Sequence, residues 1–396
     1  MHSNLSNRWR IAWVVLCVSV WSALPYYRIH NYSPPIAVRD IVCNGATVWG
    51  GSSGGLVKID RASGRLEVLD DTRRFPDPKL TAVEQDEHGN LWIGTRRGYL
   101  YRLSPTGEWK VHNSYVAAGW DITDLHAFNN LIIVGSSKGC SVFDPAEGVS
   151  NQNASTFGTL TSSEVNVVAV HNDTLYFGGS EGIGTLYVPA DSLSKYNFYD
   201  PAIWTVRTTE EPVRDFLFEG SAAGPRSYPV CRWRGKTYSA DVADNLLRDG
   251  AKVATFPSTI NCIVPAGDNE LWIGTETDYV YRWDGKNSPE QLKVEGLTFG
   301  GIDRVYVADD GRVWLLPFVQ KPPQPWYKRI TTFDNQSWHR YEGVAGIGNG
   351  THAPYFNAIT EDRNGDIWFG TWGNGIKIFS QGSFSETTVG TGMCTA

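Results

Sequence analysis

An all-β chain assembled from repeated four-stranded units is what this sequence predicts, and three observations predict it. Nearly one phrase recurs, as NLWIGTRRGYLYRL from Asn90, ELWIGTETDYVYRWD from Glu270 and DIWFGTWGNGIKIFS from Asp366. The composition is that of turns and aromatic strands, with Gly 41, Trp 16 and Tyr 18 against Met 2, so almost no helix is expected beyond the first 24 residues. The third observation is a period in the forties, the sequence mark of a propeller-like array of four-stranded blades.

The period is read from the second aromatic position of the phrase. Trp49, Trp92, Ile133, Tyr176, Trp272, Trp314 and Trp368 are separated by 43, 41, 43, 96, 42 and 54 residues, and the gap of 96 leaves room for one unit more. The segment VRDFLFEGSAAGPRSYPVCRWRGKTYSADV supplies it, with Cys231 near the marker position. The clearest unit shows four strands, Leu80–Asp86, Asn90–Thr95, Gly98–Leu103 and Glu108–Asn113, each rich in β-branched or aromatic residues and separated by Gly, Asp or Asn turns. First strands then fall at about Val38, Leu80, Ile122, Val165, Val213, Ile260, Ile302 and Phe356, eight in all.

The last unit lacks a fourth strand on this reading, because GIKIFS is followed by the polar segment QGSFSETTVGTGMCTA. The segment 26–31 reads like the outer strand EWKVHN, so pairing of the two chain ends is expected to close the ring and leave no open edge. The expected fold is therefore a single β-propeller of about eight blades over residues 25–380, with a leader at 1–24 and a polar tail at 381–396.

Arg8 and Arg10 precede the uncharged run Ile11–Leu24 and Pro25, the pattern of a signal peptide or an uncleaved signal anchor. Export to the periplasm or the extracellular space follows, with a membrane tether through residues 11–24 if the leader is retained. The six cysteines form no C-x-x-C pair, and removal of Cys17 with the leader leaves an odd number, so most are expected to be small apolar residues in strands. A net charge of −7 without a basic run argues against nucleic acid as a partner.

The unit Ile359–Gly375, I-T-E-D-R-N-G-D-I-W-F-G-T-W-G-N-G, and its echo Val83–Gly98 resemble the two-component regulator propeller repeat. Members of that family form the periplasmic sensor part of hybrid histidine kinases and occur in other exported proteins, so the resemblance implies a sensor-like propeller. No kinase, dimerisation or DNA-binding motif follows Ser380, so signalling through an output domain of its own is not expected.

Repetition separates fold from function. The Asp-rich turns Asp86–Asn90, Gly267–Glu270, Asp309–Arg312 and Glu361–Asp366 sit between first and second strands, where hairpin turns need such residues, and they are too short to surround calcium. Trp49, Trp92, Tyr176, Trp272, Trp314 and Trp368 recur at one position and are expected to pack between blades. Residues that interrupt the pattern are the binding candidates, on the face carrying the loops between second and third strands and between blades. They are Arg73, Arg74, Arg96, Arg97, Tyr115, Trp120, Glu276, Asp278, Trp326, His352, Tyr355 and Trp372, aromatic surfaces beside charges that suit stacking and bidentate hydrogen bonds.

The expected function is a non-enzymatic, monomeric, sensor-like module that takes a glycan, a peptide or an envelope protein, with no cofactor and no metal. None of the eight histidines has a metal-site spacing, and no nucleophile elbow is present. A cell-envelope scaffold is the second reading. A lyase of the streptogramin-inactivating kind is the third, and it needs His352 and Glu276 to converge on one substrate position.

Overall fold

The computed structural model describes residues 34–70, 75–189, 193, 196–219, 222–292, 302–317, 330–334, 337–341, 355–372 and 375–387. All of them belong to the compact unit Tyr32–Ala396. The leader expectation at residues 1–24 falls outside the described residues.

Among the described residues, nine antiparallel sheets follow one another along the chain. Sheet 1 is β1 (Val38–Asn44), β2 (Thr47–Ser52), β3 (Gly55–Asp60) and β4 (Leu66–Leu69). Sheet 2 is β5 (Leu80–Gln85), β6 (Leu91–Thr95), β7 (Leu100–Leu103) and β8 (Trp109–His112), followed by the one short α-helix among the described residues, α1 (Ser114–Ala118). Sheet 3 is β9 (Ile122–Phe128), β10 (Leu131–Ser136), β11 (Gly139–Asp144) and β12 (Val149–Ala154). Sheet 4 is β13 (Val165–His171), β14 (Thr174–Gly179), β15 (Gly182–Tyr187) and β16 (Thr205–Thr208). Sheet 5 has only β17 (Asp215–Glu219) and β18 (Ala222–Arg226), and Pro225 blunts its edge strand against further pairing.

Sheet 6 is β19 (Val230–Trp233), β20 (Lys236–Ala240), β21 (Asn245–Arg248) and β22 (Ala251–Thr255), and sheet 7 is β23 (Ile260–Ala266), β24 (Glu270–Thr275), β25 (Val280–Trp283) and β26 (Glu290–Leu292). Sheet 8 is β27 (Ile302–Val307), β28 (Val313–Pro317), β29 (Ile330–Phe333) and β30 (Trp338–Tyr341). Sheet 9 is β31 (Tyr355–Glu361), β32 (Ile367–Trp372), β33 (Ile376–Ser380) and β34 (Ser383–Thr387).

The repeated phrase has a physical reading. In the first hairpin of sheet 2, Asp86 accepts the backbone N–H groups of His88 and Asn90 at 2.9 Å and the indole N–H of Trp92 at 2.8 Å. Asp362 does the same for Asn364, Asp366 and Trp368. One carboxylate thus closes the turn and fixes the rotamer of the marker Trp. Trp92, Trp272 and Trp314 are fully buried, each worth roughly 4–6 kcal/mol of transfer free energy, whereas Trp49, Tyr176 and Trp368 are half-buried.

Glycine in the second strand explains how sheets stack. Gly94 faces Ile122 of the next sheet so closely that a Cβ there would overlap the Ile side chain, and a Cβ on Gly178 would stand 2.6 Å from Val213 Cγ1. The first strands accordingly pack in succession, β1 on β5, β5 on β9, β9 on β13, β13 on β17, β17 on β19 and β19 on β23. β23 then packs on β1, so that seven sheets follow one another in a circuit. At that last contact Gly274 lies beneath Val38, Asn261 Nδ2 donates to Val38 O at 3.1 Å and Tyr279 N donates to Ile36 O at 3.1 Å. Sheets 8 and 9 pack on each other through Trp314, Leu316, Ile330, Phe356 and Phe369.

Three expectations are corrected. The described residues form nine sheets where eight units were expected, because the segment assigned to one unit contributes to both sheet 5 and sheet 6 and Cys231 stands in a first strand. Sheet 6 lacks the WIGT phrase, and its hairpins turn at Arg234–Gly235 and Asp249–Gly250, all four residues with positive φ. The last sheet takes its fourth strand from Ser383–Thr387, inside the expected polar tail, where Phe384 packs on Phe369 and Phe379. Finally, β1 packs on β23 where closure through the last sheet was expected, and the segment 26–31 that was to complete that sheet lies outside the described residues.

Candidate functional site

The first strands of sheets 1 to 5 and 7, with residues 227–229, 241, 242 and 244 flanking β19 and β20, line a cavity of about 910 Å³. Each of β1, β5, β9, β13 and β23 carries a bulge near its start, which turns the next two side chains toward the cavity and the neighbouring sheet. The residue after the first buried apolar position is a donor across to the next sheet. Thr81 gives its hydroxyl to Ile122 O at 2.6 Å and Thr123 to Val165 O at 2.5 Å, while Asn166 gives its amide to Val213 O at 3.2 Å. Asn261 repeats this bond onto Val38, which shows that the contact between sheets 7 and 1 is of the same kind as the others.

One position further on, alternate sheets place a carboxylate. Asp40, Asp124 and Asp215 each accept a backbone N–H of the following sheet at 2.8 Å, from Val83, Val168 and Val230. Glu84 accepts the N–H of Ala127 at 3.0 Å and stands 3.5 Å from His126 Nδ1. Burial inside the ring of sheets pushes the carboxyl pKa values of Asp40 and Asp215 up to about 6 and that of Glu84 to about 7, against the opposing effect of the backbone bonds. Asp124 is raised well above its ordinary value by the same burial and by the charge of Asp40. All four keep some contact with water in the cavity. No Lys or Arg pairs with Asp40, Asp124 or Asp215 among the described residues.

Carboxyl and apolar side chains are mixed along the wall: Asp40, Glu84 and Asp124 stand beside Ile41, Val83 and Leu125, and Asp215 beside Val167, Phe216 and Phe218. Arg96, Arg214, Tyr228 and the 82 % exposed Val242 also line the cavity with exposed side chains. Nine carboxylates against three guanidinium groups make the lining acidic.

The residues expected from sequence divide sharply. Arg96 lines the cavity, and Glu276 adjoins it, accepting from Arg39 Nη2 and from Asn261 Nδ2 at 3.0 Å each. Tyr115 is buried, its hydroxyl 2.9 Å from Ser141 Oγ, and Trp120 stacks on it at 6.0 Å, so this pair supports the blade. Asp278 is buried and accepts the hydroxyl of Thr277 at 2.9 Å, a turn role. Arg97 is exposed, its backbone N–H on Asp77 at 3.1 Å. Tyr355 and Trp372 are partners in the pairing of β31 and β32, well away in sequence from the circuit of seven sheets. Arg73, Arg74, Trp326 and His352 lie outside the described residues, as do the side chains of Tyr355 and Trp372.

Sequence reasoning missed Asp40, Asp124 and Asp215. A signal was present: VRDI (38–41), ITDL (122–125) and VRDF (213–216) repeat an apolar residue, a polar one, Asp and a second apolar residue at the start of a first strand.

These features define a protein of the β-propeller class. Residues 351–373 match the family signature described as "Two component regulator propeller", so the chain carries the repeat that its motifs resemble. No curated protein sequence matches the chain significantly. Among solved structures, PorZ, described as an essential bacterial surface component of the type-IX secretion system of Porphyromonas gingivalis, superposes with a TM-score of 0.66 at 15% identity, over 92% of this chain and 54% of PorZ. The extracellular domain of a hybrid two-component system from B. thetaiotaomicron gives 0.35 at 17% identity, over 87% of this chain and 50% of that one. A streptogramin B lyase gives 0.36 at 13% identity, over 86% and 91%. The chain thus spans about half the length of the first two. At such identities the likeness concerns the fold, and the two looser superpositions carry no argument.

Proposed function

We propose that sheets 1 to 7 form a seven-bladed propeller that works as an exported binding module and performs no chemistry. The observation that carries this is the cavity of about 910 Å³, a size suited to a ligand, with charged and aromatic groups at its lining held by a rigid ring of sheets. Of a glycan, a peptide and a partner protein, a peptide or protein segment bearing basic side chains suits the lining best, because carboxylates outnumber guanidinium groups and apolar side chains stand among them. Export rests on the charged and apolar leader pattern of residues 1–24, and the likeness to a bacterial surface component agrees with it.

A peptide and glycan array probed with the protein tests the reading, beside a Glu211→Gln, Tyr228→Ala double variant at the cavity lining. Selective capture of basic peptides by the parent, weakened at least tenfold in the double variant, is the expected result. Binding that the variant leaves unchanged would move the site away from the cavity, and failure to bind any peptide or glycan would favour the scaffold reading. Turnover of a streptogramin would favour the lyase reading.

A further inference from the structure

Four carboxyl groups inside the circuit of sheets share the cavity and lack the charges that ordinarily keep such groups ionised. Asp40 on β1, Glu84 on β5, Asp124 on β9 and Asp215 on β17 all line it. Their hydrogen bonds come from backbone N–H groups: Asp40 accepts from Val83 and Ile41, Asp215 from Val230 and Phe216, Asp124 from Val168 and Glu84 from Ala127. They are close enough to act on one another, Asp215 on Asp40, Asp40 on both Glu84 and Asp124, and Glu84 on Asp124. A backbone amide is a dipole without net charge, so full ionisation would set several like charges against each other in one cavity.

The groups packed around them do not remove that charge. Arg39 is paired with Glu276 at 3.0 Å, and Arg232 of β19 with Glu219 at 3.2 Å. His126, 3.5 Å from Glu84, is held below its ordinary pKa by burial, toward the neutral form. Burial raises the thiols of Cys43 and Cys262, on β1 and β23, so they stay uncharged near neutral pH. Arg96 and Arg214 are exposed to solvent. Asp121, Glu164 and Glu211, in the loops leading into β9, β13 and β17, and Asp241 and Asp244, in the turn after β20, add further negative charge to the lining. Protons are therefore the counter-ions that the protein itself leaves to the four groups.

We infer, on the reading of this cavity as a site for a basic peptide or protein segment, that an entering cationic side chain takes the place of protons on Asp40, Glu84, Asp124 and Asp215. Capture and proton release are then one event, so the cavity holds such a segment at neutral pH and lets it go on acidification. Each guanidinium or ammonium group that enters brings one positive charge, and up to one carboxyl proton per charge leaves to the buffer. Linkage sets the slope, since each proton released on binding lowers the affinity about tenfold for each unit that the pH falls. Release on acidification is distinct from unfolding, because the same groups stabilise the fold as they take up protons.

Titration calorimetry of the full chain with N-acetyl-tetra-arginine amide tests this, beside the uncharged tetra-citrulline counterpart, at an ionic strength of about 0.15 M. Guanidinium does not titrate in this range, so any pH dependence belongs to the protein. Runs at about pH 6.5 in two buffers of different ionisation enthalpy count the protons. About one proton or more released per peptide is expected, with affinity at least tenfold weaker at about pH 5.5 than at about pH 7.5, unchanged circular dichroism and no capture of the citrulline peptide. Glu84→Gln keeps an oxygen for the Ala127 N–H and is expected to release fewer protons and to flatten the pH slope. Tetra-arginine bound equally at both pH values without proton release overturns the inference and leaves the basic-ligand reading standing. A folded Glu84→Gln variant with the parent's proton count also overturns it. Failure of tetra-arginine to bind at any pH, or equal capture of the citrulline peptide, removes the basic-ligand reading and the inference with it.

Discussion

Gly274→Ala tests whether sheets 7 and 1 press on each other as sheets 2 and 3 do. A Cβ at Gly274 would lie 2.8 Å from the carbonyl oxygen of Val38 and 2.6 Å from Cys262 Sγ. The backbone oxygen cannot swing aside as a side-chain tip can, so the two sheets must separate by several tenths of an ångström. Overpacking of this kind costs about 1–3 kcal/mol. The shift also strains the Asn261 bond to Val38 O, worth about 1 kcal/mol net. A combined loss of about 2 kcal/mol lowers the midpoint of a domain of 150–250 residues by about 4–8 °C, and somewhat less for a larger one. Thermal unfolding followed by circular dichroism reads this directly, beside Gly94→Ala at the contact of sheets 2 and 3, which is expected to fall by a similar amount. A Gly274→Ala midpoint within about 1 °C of the parent, with Gly94→Ala clearly lowered, would show that the circuit of seven sheets does not close there.

Three further outcomes follow from the same geometry. Folding raises the carboxyl pKa values of Asp40, Asp215 and Glu84 from 3.8, 3.8 and 4.5 to about 6, 6 and 7, so the folded protein holds protons that the unfolded chain has released. Stability therefore rises as pH falls through the window from about 7 to 4, and the urea midpoint should be higher at pH 5 than at pH 8. The turn carboxylates of Asp86, Asp241 and Asp362, whose pKa values are lowered, withdraw their support only below their ordinary range, so a midpoint that drops between pH 8 and 5 contradicts the reading. Asp86→Ala removes the acceptor for the turn and for the Trp92 indole and should cost about 1–3 kcal/mol in urea unfolding, with Asp86→Asn recovering part of it. Burial pushes the thiols of Cys43 and Cys231 up to about 12, so alkylation mapped by mass spectrometry at pH 8 should label these two only after unfolding; rapid labelling of the native protein would place them at an accessible surface.

Strand positions were legible because the first strands open on an apolar residue at a regular period, and all of these but the exposed Ile302 are buried against a neighbouring sheet. Val38, Leu80, Ile122, Val165, Val213, Ile260, Ile302 and Phe356 were all identifiable from apolar pattern and period. Sheet 6 was hidden because its core uses Trp233, Tyr238, Leu246 and Phe256 at other spacings, and its second strand carries no Trp before a Gly. β34 was hidden because SFSET reads as polar, and only Phe384 ties it to the core. Closure at β23 could not be read from local pattern at all. It depends on how many sheets the circuit holds, and the seam is made by ordinary residues such as Asn261, Arg39 and Gly274.

The candidate site was less legible for a related reason: the residues that look functional and those that line the cavity differ in what the repeat asks of them. Tyr115, Trp120 and Asp278 interrupt the pattern, yet they fill a blade or a turn. Asp40, Asp124 and Asp215 face the cavity while tying each sheet to its neighbour, so removal of a carboxylate there alters folding and ligand contact together. Binding is therefore better dissected at Arg96, Arg214, Tyr228 and Val242, which reach the same cavity with exposed side chains or partly exposed rings. Loss of binding in Tyr228→Ala at unchanged midpoint assigns that side chain to the ligand, whereas the same loss in Asp124→Asn assigns nothing until its fold is shown to be intact.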